Sequence, residues 1–183
     1  MKKLLLLGLF SLILISCRED DSDKRVNSNV LPEATQNGAN TGGALVDGKV
    51  WVSSTKYVKR LGGTGTYAYT SLYNTHYIQI DLRSISSKNS RIVIQLKVDD
   101  FELNKEYFLL SDYVSEHNRG VFIDGNGKAY MPEFLNTDYS GKIKITRLDI
   151  PKNIISGTFE FKAADENGNV VSITDGRFDK KFD

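Results

Sequence analysis

The sequence predicts an all-β body, an antiparallel β-sandwich or small barrel of about eight to ten short strands. Three observations predict it. Apolar and polar residues alternate at period two along several stretches, as in His76–Arg83 and Arg91–Val98,. Asp-Gly and Asn-Gly dipeptides punctuate those stretches and suit turns with positive φ. No window of helical length carries an apolar stripe at the helical period.

The chain opens with Lys2 and Lys3, followed by an apolar run from Leu4 to Ile15 that only Gly8 and Ser11 interrupt. A helix that crosses a bilayer needs roughly 20 apolar residues, so this run is too short to span comfortably. Charge, apolar run and small residue follow one another as in a removable export signal. The run ends Leu14-Ile15-Ser16-Cys17, which resembles the bacterial lipobox. That resemblance implies cleavage before Cys17, a diacylglyceryl group on its sulfur, and acylation, for instance with palmitate, of the new N-terminus. Cys17 is the only cysteine, so an exported chain has no disulfide framework. Each buried methylene contributes about 0.8 kcal/mol, and two or more acyl chains hold where one does not. The expected partner of Cys17 is therefore a membrane.

Behind Cys17 stands a charged stretch, Arg18-Glu19-Asp20-Asp21-Ser22-Asp23-Lys24-Arg25. Its acidic part resembles the surface-export signal of Bacteroidota lipoproteins, and Arg18 in place of an aspartate argues against retention in the inner membrane. The expected location is the outer membrane, with outward display favoured over a periplasm-facing domain. Residues 18–43 are rich in Asp, Asn, Ser, Thr and Gly. Such a stretch buries too little to offset its ordering entropy, and it is expected to be a flexible tether. The expected organisation is a leader at 1–16, lipidated cysteine and tether at 17–43, and one body at 44–183, near the commonest domain size.

The 24 Lys and Arg nearly balance the 23 Asp and Glu, for a formal charge of +1. Losing Lys2 and Lys3 with the leader makes the mature chain slightly negative. A chain so close to neutral has no nucleic-acid footprint, and no such partner is expected.

Within the body, Asp47-Gly48 separates Leu45-Val46 from Val50-Trp51-Val52. In His76–Arg83, Ile78, Ile80 and Leu82 share one face; in Arg91–Val98, Ile92, Ile94, Leu96 and Val98 do,. Asp124-Gly125-Asn126-Gly127 lies between Val121–Ile123 and Ala129-Tyr130, which reads as a hairpin,. Ile143 and Ile145 alternate with lysines, and Ile155, Gly157, Phe159, Phe161 and Ala163 form one face of the next strand. Asn167-Gly168 then turns the chain into Val170–Ile173.

The opening Ala44-Leu45-Val46-Asp47-Gly48-Lys49-Val50-Trp51 resembles the "hVNGxxW" hairpin of small Bacteroidota lipoprotein domains of unknown function. The closing Gly157-Thr158-Phe159-Glu160-Phe161 and Ile173-Thr174-Asp175-Gly176-Arg177-Phe178-Asp179 resemble the same group. The resemblance covers both ends of the body and little of residues 55–140. It implies an exported β domain and carries over no catalytic residue.

Several local patterns invite chemistry. Leu61-Gly62-Gly63-Thr64-Gly65-Thr66 is glycine-rich, but no Gly-Lys-Ser/Thr follows, and an inter-strand loop is expected,. Asp124, Asn126 and Lys128, and Asp165, Asn167 and Asn169, have the alternate-residue spacing of a calcium loop. A lysine at the fifth position of the first, and valine and glycine at the sixth and twelfth positions of the second, spoil it,. No metal or cofactor is expected. His76 and His117 are the only histidines. A zinc site would need both to converge with carboxylates, so a hydrogen-bonded His76 near a strand end is expected. No Gly-x-Ser-x-Gly elbow supports a Ser-His-Asp site. Glu102, Glu106, Asp112, Glu116, Glu133 and Asp138 cluster around expected loops, where solvated acids belong. Tyr57, Tyr67, Tyr69, Tyr73 and Tyr77 are interleaved with Gly, Thr and Ser, a chemistry suited to adaptable recognition or to stacking on sugar rings. The expected function is a non-catalytic, membrane-anchored domain that binds a glycan or an envelope protein, or supports the envelope. The alternative is a hydrolase of envelope or extracellular polymers.

Overall fold

The computed structural model describes residues 29–53, 66–70, 76–84, 90–97, 102–111 and 118–181. Eleven strands occur among them: β1 (Thr41–Val46), β2 (Lys49–Val52), β3 (Thr66–Thr70), β4 (His76–Arg83), β5 (Arg91–Lys97), β6 (Glu106–Leu110), β7 (Arg119–Ile123), β8 (Ala129–Tyr130), β9 (Tyr139–Asp149), β10 (Ile154–Ala164) and β11 (Val170–Lys181). All pairings are antiparallel and make two sheets, ordered β2-β1-β11-β10-β9-β6 and β3-β4-β5-β7-β8. Neither sheet closes on itself, so of the two architectures expected the sandwich holds and the barrel does not. Among the described residues the single helical element is a short 3-10 turn over Pro132–Phe134. No helix among the described residues is long and apolar enough to cross a membrane.

The period-two pattern sets the core. Ile78, Ile80, Leu82, Ile92, Ile94 and Leu96 line the inner face of the five-stranded sheet; Ile143, Ile145, Ile155, Phe159, Phe161 and Ile173 meet them from the six-stranded one. Full burial of such a side chain contributes about 1.5–3 kcal/mol. The first turn takes the expected form, with φ of 48° at Asp47 and 74° at Gly48. The Asp47 carboxylate also accepts the Ser172 N–H at 2.8 Å, which ties the opening hairpin to β11. The indole N–H of buried Trp51 donates to the Ser90 hydroxyl at 2.6 Å.

β10 and β11 lie at the centre of the larger sheet, and their pairing explains the closing sequence pattern. Gly157 stands opposite Phe178, and Phe159 stands opposite Gly176. A Cβ on Gly176 would come within 2.5 Å of the Phe159 ring, and one on Gly157 within 2.7 Å of the Phe178 ring. Each ring therefore covers the bare backbone of its cross-strand glycine. Phe161 does the same between sheets, lying over Gly120 of β7, where a Cβ would meet the ring at 2.8 Å.

The body begins earlier than residue 44. β1 opens at Thr41, and residues 31–40 form a strap along the outer face of the six-stranded sheet. From about residue 31, roughly half of the expected tether of 17–43 is therefore held to the sheet. Composition suggested too little burial to order it, but one carboxylate supplies the missing contacts. Asp179, 1 % exposed, accepts the Thr35 hydroxyl at 2.7 Å and the backbone N–H groups of Asn37, Gly38 and Ala39 at 3.0, 2.8 and 3.1 Å. Ser156 of β10 donates a fifth hydrogen bond at 2.8 Å. On the other side of β11, the ammonium of Lys180 donates to the Asn40 carbonyl at 2.7 Å and to the Ser53 hydroxyl at 3.3 Å. Lys180 is only 4 % exposed.

Both groups make stability depend on pH. Burial opposes the charge on Asp179, but hydrogen bonds from Thr35, Ala39, Ser156 and Gly38 outweigh it and hold the carboxyl below the usual Asp range. A carboxyl with a depressed folded pKa contributes fully above its unfolded value, and the contribution is lost as pH falls through the folded one. Asp179→Ala should cost about 2–4 kcal/mol at neutral pH, since buried donors lose a charged acceptor, and should weaken acid destabilisation in urea titrations. Burial pushes Lys180 down to about 8, with Asp179 and Asp81 pulling weakly the other way. Between that value and about 10.5 the unfolded chain binds the extra proton, so stability should rise with pH by an amount on the order of 3 kcal/mol. In Lys180→Met, urea unfolding across pH 8–10.5 should show that rise removed; an unchanged rise would mean that the buried lysine does not cause it.

Candidate functional site

The outer face of the six-stranded sheet is where the structure concentrates exposed chemistry. Its antiparallel register aligns side chains from four strands in rows. In one row Glu106 of β6, Lys144 of β9, Thr158 of β10 and Arg177 of β11 stand side by side; in the next, Phe108 lies beside Lys142, which lies beside Glu160. Directly opposed antiparallel residues bring their Cβ atoms to about 4.5–5.5 Å, so each row is a continuous strip of contacts. Lys142 bridges the strips, with its ammonium 3.1 Å from Glu106 and 3.7 Å from Glu160. The hydrogen bond and charge of Glu106, with Glu160 adding, raise the pKa of Lys142 above its ordinary value.

Phe108 and Tyr139 are the aromatic part of this face. They are 60 % and 55 % exposed, with ring centroids 5.0 Å apart and planes inclined by 49°. Strand β6 places Phe108, and β9 begins at Tyr139, whose backbone pairs with Leu110. Two adjoining hollows sit on the same face. One, of about 320 Å³, reaches from Glu106 and Lys144 to Arg177 and the strap residue Ala34. The other, of about 580 Å³, has Phe108 and Tyr139 at one end and Lys162, Ser172 and Thr174 at the other. Lys142 and Glu160 border both.

The residues singled out from sequence fall elsewhere. Leu14, Ile15, Ser16, Cys17, Tyr57, Tyr73 and His117 lie outside the described residues, as does most of the glycine-rich run before Thr66. Tyr67, Tyr69 and Tyr77 occupy β3 and β4, with Tyr69 in register with Tyr77 and Tyr67 with Gln79. Those positions alternate with the ones paired to buried Ile78 and Ile80, so three of the five tyrosines are brought onto two adjacent strands. Nothing in the register joins them to Phe108 and Tyr139, which stand on the other sheet.

The two calcium-like patterns are hairpin turns. The Asp124 carboxylate accepts the N–H groups of Asn126 and Lys128 at 2.8 and 3.0 Å. The Asp165 carboxylate accepts those of Asn167 and Asn169 at 2.9 and 2.8 Å. The Lys128 ammonium of the first hairpin ion-pairs with Asp165 of the second. That contact, with Asn169 adding, holds the Asp165 carboxyl well below the ordinary range. Among the acids near loops, Glu106 pairs with Lys142, Glu102 with Lys105, and Glu133 with Arg119, while Asp112 and Glu116 lie outside the described residues. No group of three or more His, Cys, Asp or Glu side chains converges as a metal site among the described residues.

Comparison with known proteins gives a family and no activity. Residues 76–180, from β4 to the penultimate residue of β11, match the model of a family described as a domain of unknown function, DUF6252. No curated protein and no solved structure matches the chain.

Proposed function

The chain belongs to the DUF6252 family, and we propose that it is a lipid-anchored outer-membrane lipoprotein whose β-sandwich recognises a ligand outside the cytoplasm without chemically changing it. The observation that carries the binding role is the exposed Phe108–Tyr139 pair beside the Lys142–Glu160 strip. Two large aromatic rings left in water on a rigid sheet, next to ordered polar groups, make the kind of anchor-and-rim surface that recognition uses. Five described carboxylates have structural work: Asp179 holds the strap, Asp124 and Asp165 close hairpins, and Glu106 and Glu160 flank Lys142. This supports recognition over the hydrolase alternative.

The anchor is supported by the order Lys2-Lys3, apolar run and Leu14-Ile15-Ser16-Cys17,. A Bacteroidota source and outward display are supported by the acidic residues that follow. In a host that processes it, Cys17→Ser should leave an uncut precursor or release the protein into the soluble fraction, while the unaltered chain should partition with membranes and take up labelled palmitate. A Cys17→Ser chain that is still processed and still membrane-bound would overturn the anchor. Outward display predicts that protease added to intact cells degrades the domain before any periplasmic marker is lost.

A further inference from the structure

We infer that the outer face of the six-stranded sheet binds a neutral polysaccharide laid across the strands over Phe108 and Tyr139. This rests on the recognition role above and names its ligand class. The aromatic pair supplies the first contact. The C–H groups on one face of a pyranose ring carry partial positive charge, and an exposed aromatic face is negative. At 49° the rings do not stack on each other and close the surface; both remain open to a ligand.

The polar rows supply the second contact. A sugar hydroxyl donates and accepts at once, and so is best matched by donors and acceptors set side by side. Lys142 beside Glu160, with Lys162 in register with Ser172, offers that alternation across the hollow. From β6 to β11 the face crosses three strand spacings, or about 14 Å at roughly 4.8 Å each, so a chain of several sugar rings fits better than one.

Charge selects a neutral polymer. The cations Lys142, Lys144, Lys162 and Arg177 stand among the acids Glu106, Glu160 and Asp175, and such an even mixture lacks the basic excess that a polyanion needs. A peptide added as an extra strand is disfavoured by the edge of β6. There Asn118 accepts the Leu110 N–H at 2.8 Å through its carbonyl and donates its side-chain amide to the Phe108 carbonyl at 3.3 Å. Two of the edge groups that strand addition would use are taken.

The test is affinity electrophoresis of the full chain, purified in non-ionic detergent, through gels that contain single polysaccharides. Dextran, starch, a mixed-linkage β-glucan and xylan form the neutral set; alginate and polygalacturonate form the acidic set. At least one neutral polymer should retard the protein, and Phe108→Ala and Tyr139→Ala should each weaken the apparent affinity by tenfold or more. Phe108→Trp should preserve it. Both side chains are exposed, so unchanged urea midpoints should show that the variants are folded. Retardation by acidic polymers alone, or equal retardation of the alanine variants, would overturn the inference. A parallel arm places benzoylphenylalanine at position 139 and irradiates intact cells. If no polymer retards the chain but one envelope protein is cross-linked, the saccharide is wrong and the recognition role survives. If both arms are silent, both readings fall.

Discussion

The reciprocal glycine–phenylalanine pairing of β10 and β11 is the constraint on which the rest of the sandwich depends. Bulky rings directly opposed on an inner face would hold two central strands' side chains apart from the facing sheet. Placing Gly157 under Phe178 and Gly176 under Phe159 lets both rings lie over backbone instead, which buries aromatic area while keeping the sheets close. Phe161 over Gly120 then locks one sheet to the other. The pairing also fixes register, and register decides what the opposite face displays. A slip of one residue would send every side chain to the other side. Thr158, Glu160 and Lys162 reach the solvent face because Phe159 and Phe161 are held on the inner one.

The same two strands organise the N-terminal strap. Phe178 points inward, so Asp179 must point outward, where a lone carboxylate would ordinarily sit in water. Here residues 35–39 wrap it and give it four donors, and Ser156 gives a fifth. The exchange is favourable because charged hydrogen bonds are stronger than neutral ones and because the strap's own N–H groups would otherwise lack partners. Lys180 is less favourably placed. It is buried against a carbonyl and a hydroxyl rather than a carboxylate, and that burial lowers its pKa,.

Much of the fold was legible because alternation survives where strands are regular. β4 and β5 match the expected strands within a residue, and the Asp47-Gly48, Asp124–Gly127 and Asn167-Gly168 turns lie where expected. Of the longest strands, β10 was read to within a residue of each end, whereas β9 and β11 were read only in pieces. β9 carries an extra residue between Ile145 and Arg147, and β11 one between Ile173 and Gly176, relative to β10, and such irregularities interrupt period two. The strap was misread because its order comes from a residue some 140 positions away, and composition carries no trace of a distant acceptor. The exposed aromatic face was missed for the same reason. Phe108 and Tyr139 are isolated aromatics in sequence, and only the β6–β9 register makes them neighbours. The tyrosine-rich segment drew attention because its residues are close in the chain, and β3 and β4 bring Tyr69 and Tyr77 of it into register.

The strap also limits how the domain sits in the proposed lipoprotein. Had residues 17–43 all been a free tether, the binding face could have turned in any direction far from the lipid. With the chain held to the sheet from about residue 31, the linker from Cys17 is roughly half as long. Even fully extended at about 3.5 Å per residue it reaches no more than about 50 Å. The strap runs over the outer side of the six-stranded sheet, and Ala34 borders the same hollow as Glu106 and Arg177. In the proposed lipoprotein the chain would reach this face at Leu31 and Pro32, which lie over Gly43 of β1, four strand spacings from Phe108 on β6. Ala34 directly precedes the residues that Asp179 holds, so whatever loosens Asp179's hold on residues 35–39 also reshapes one wall of the hollow.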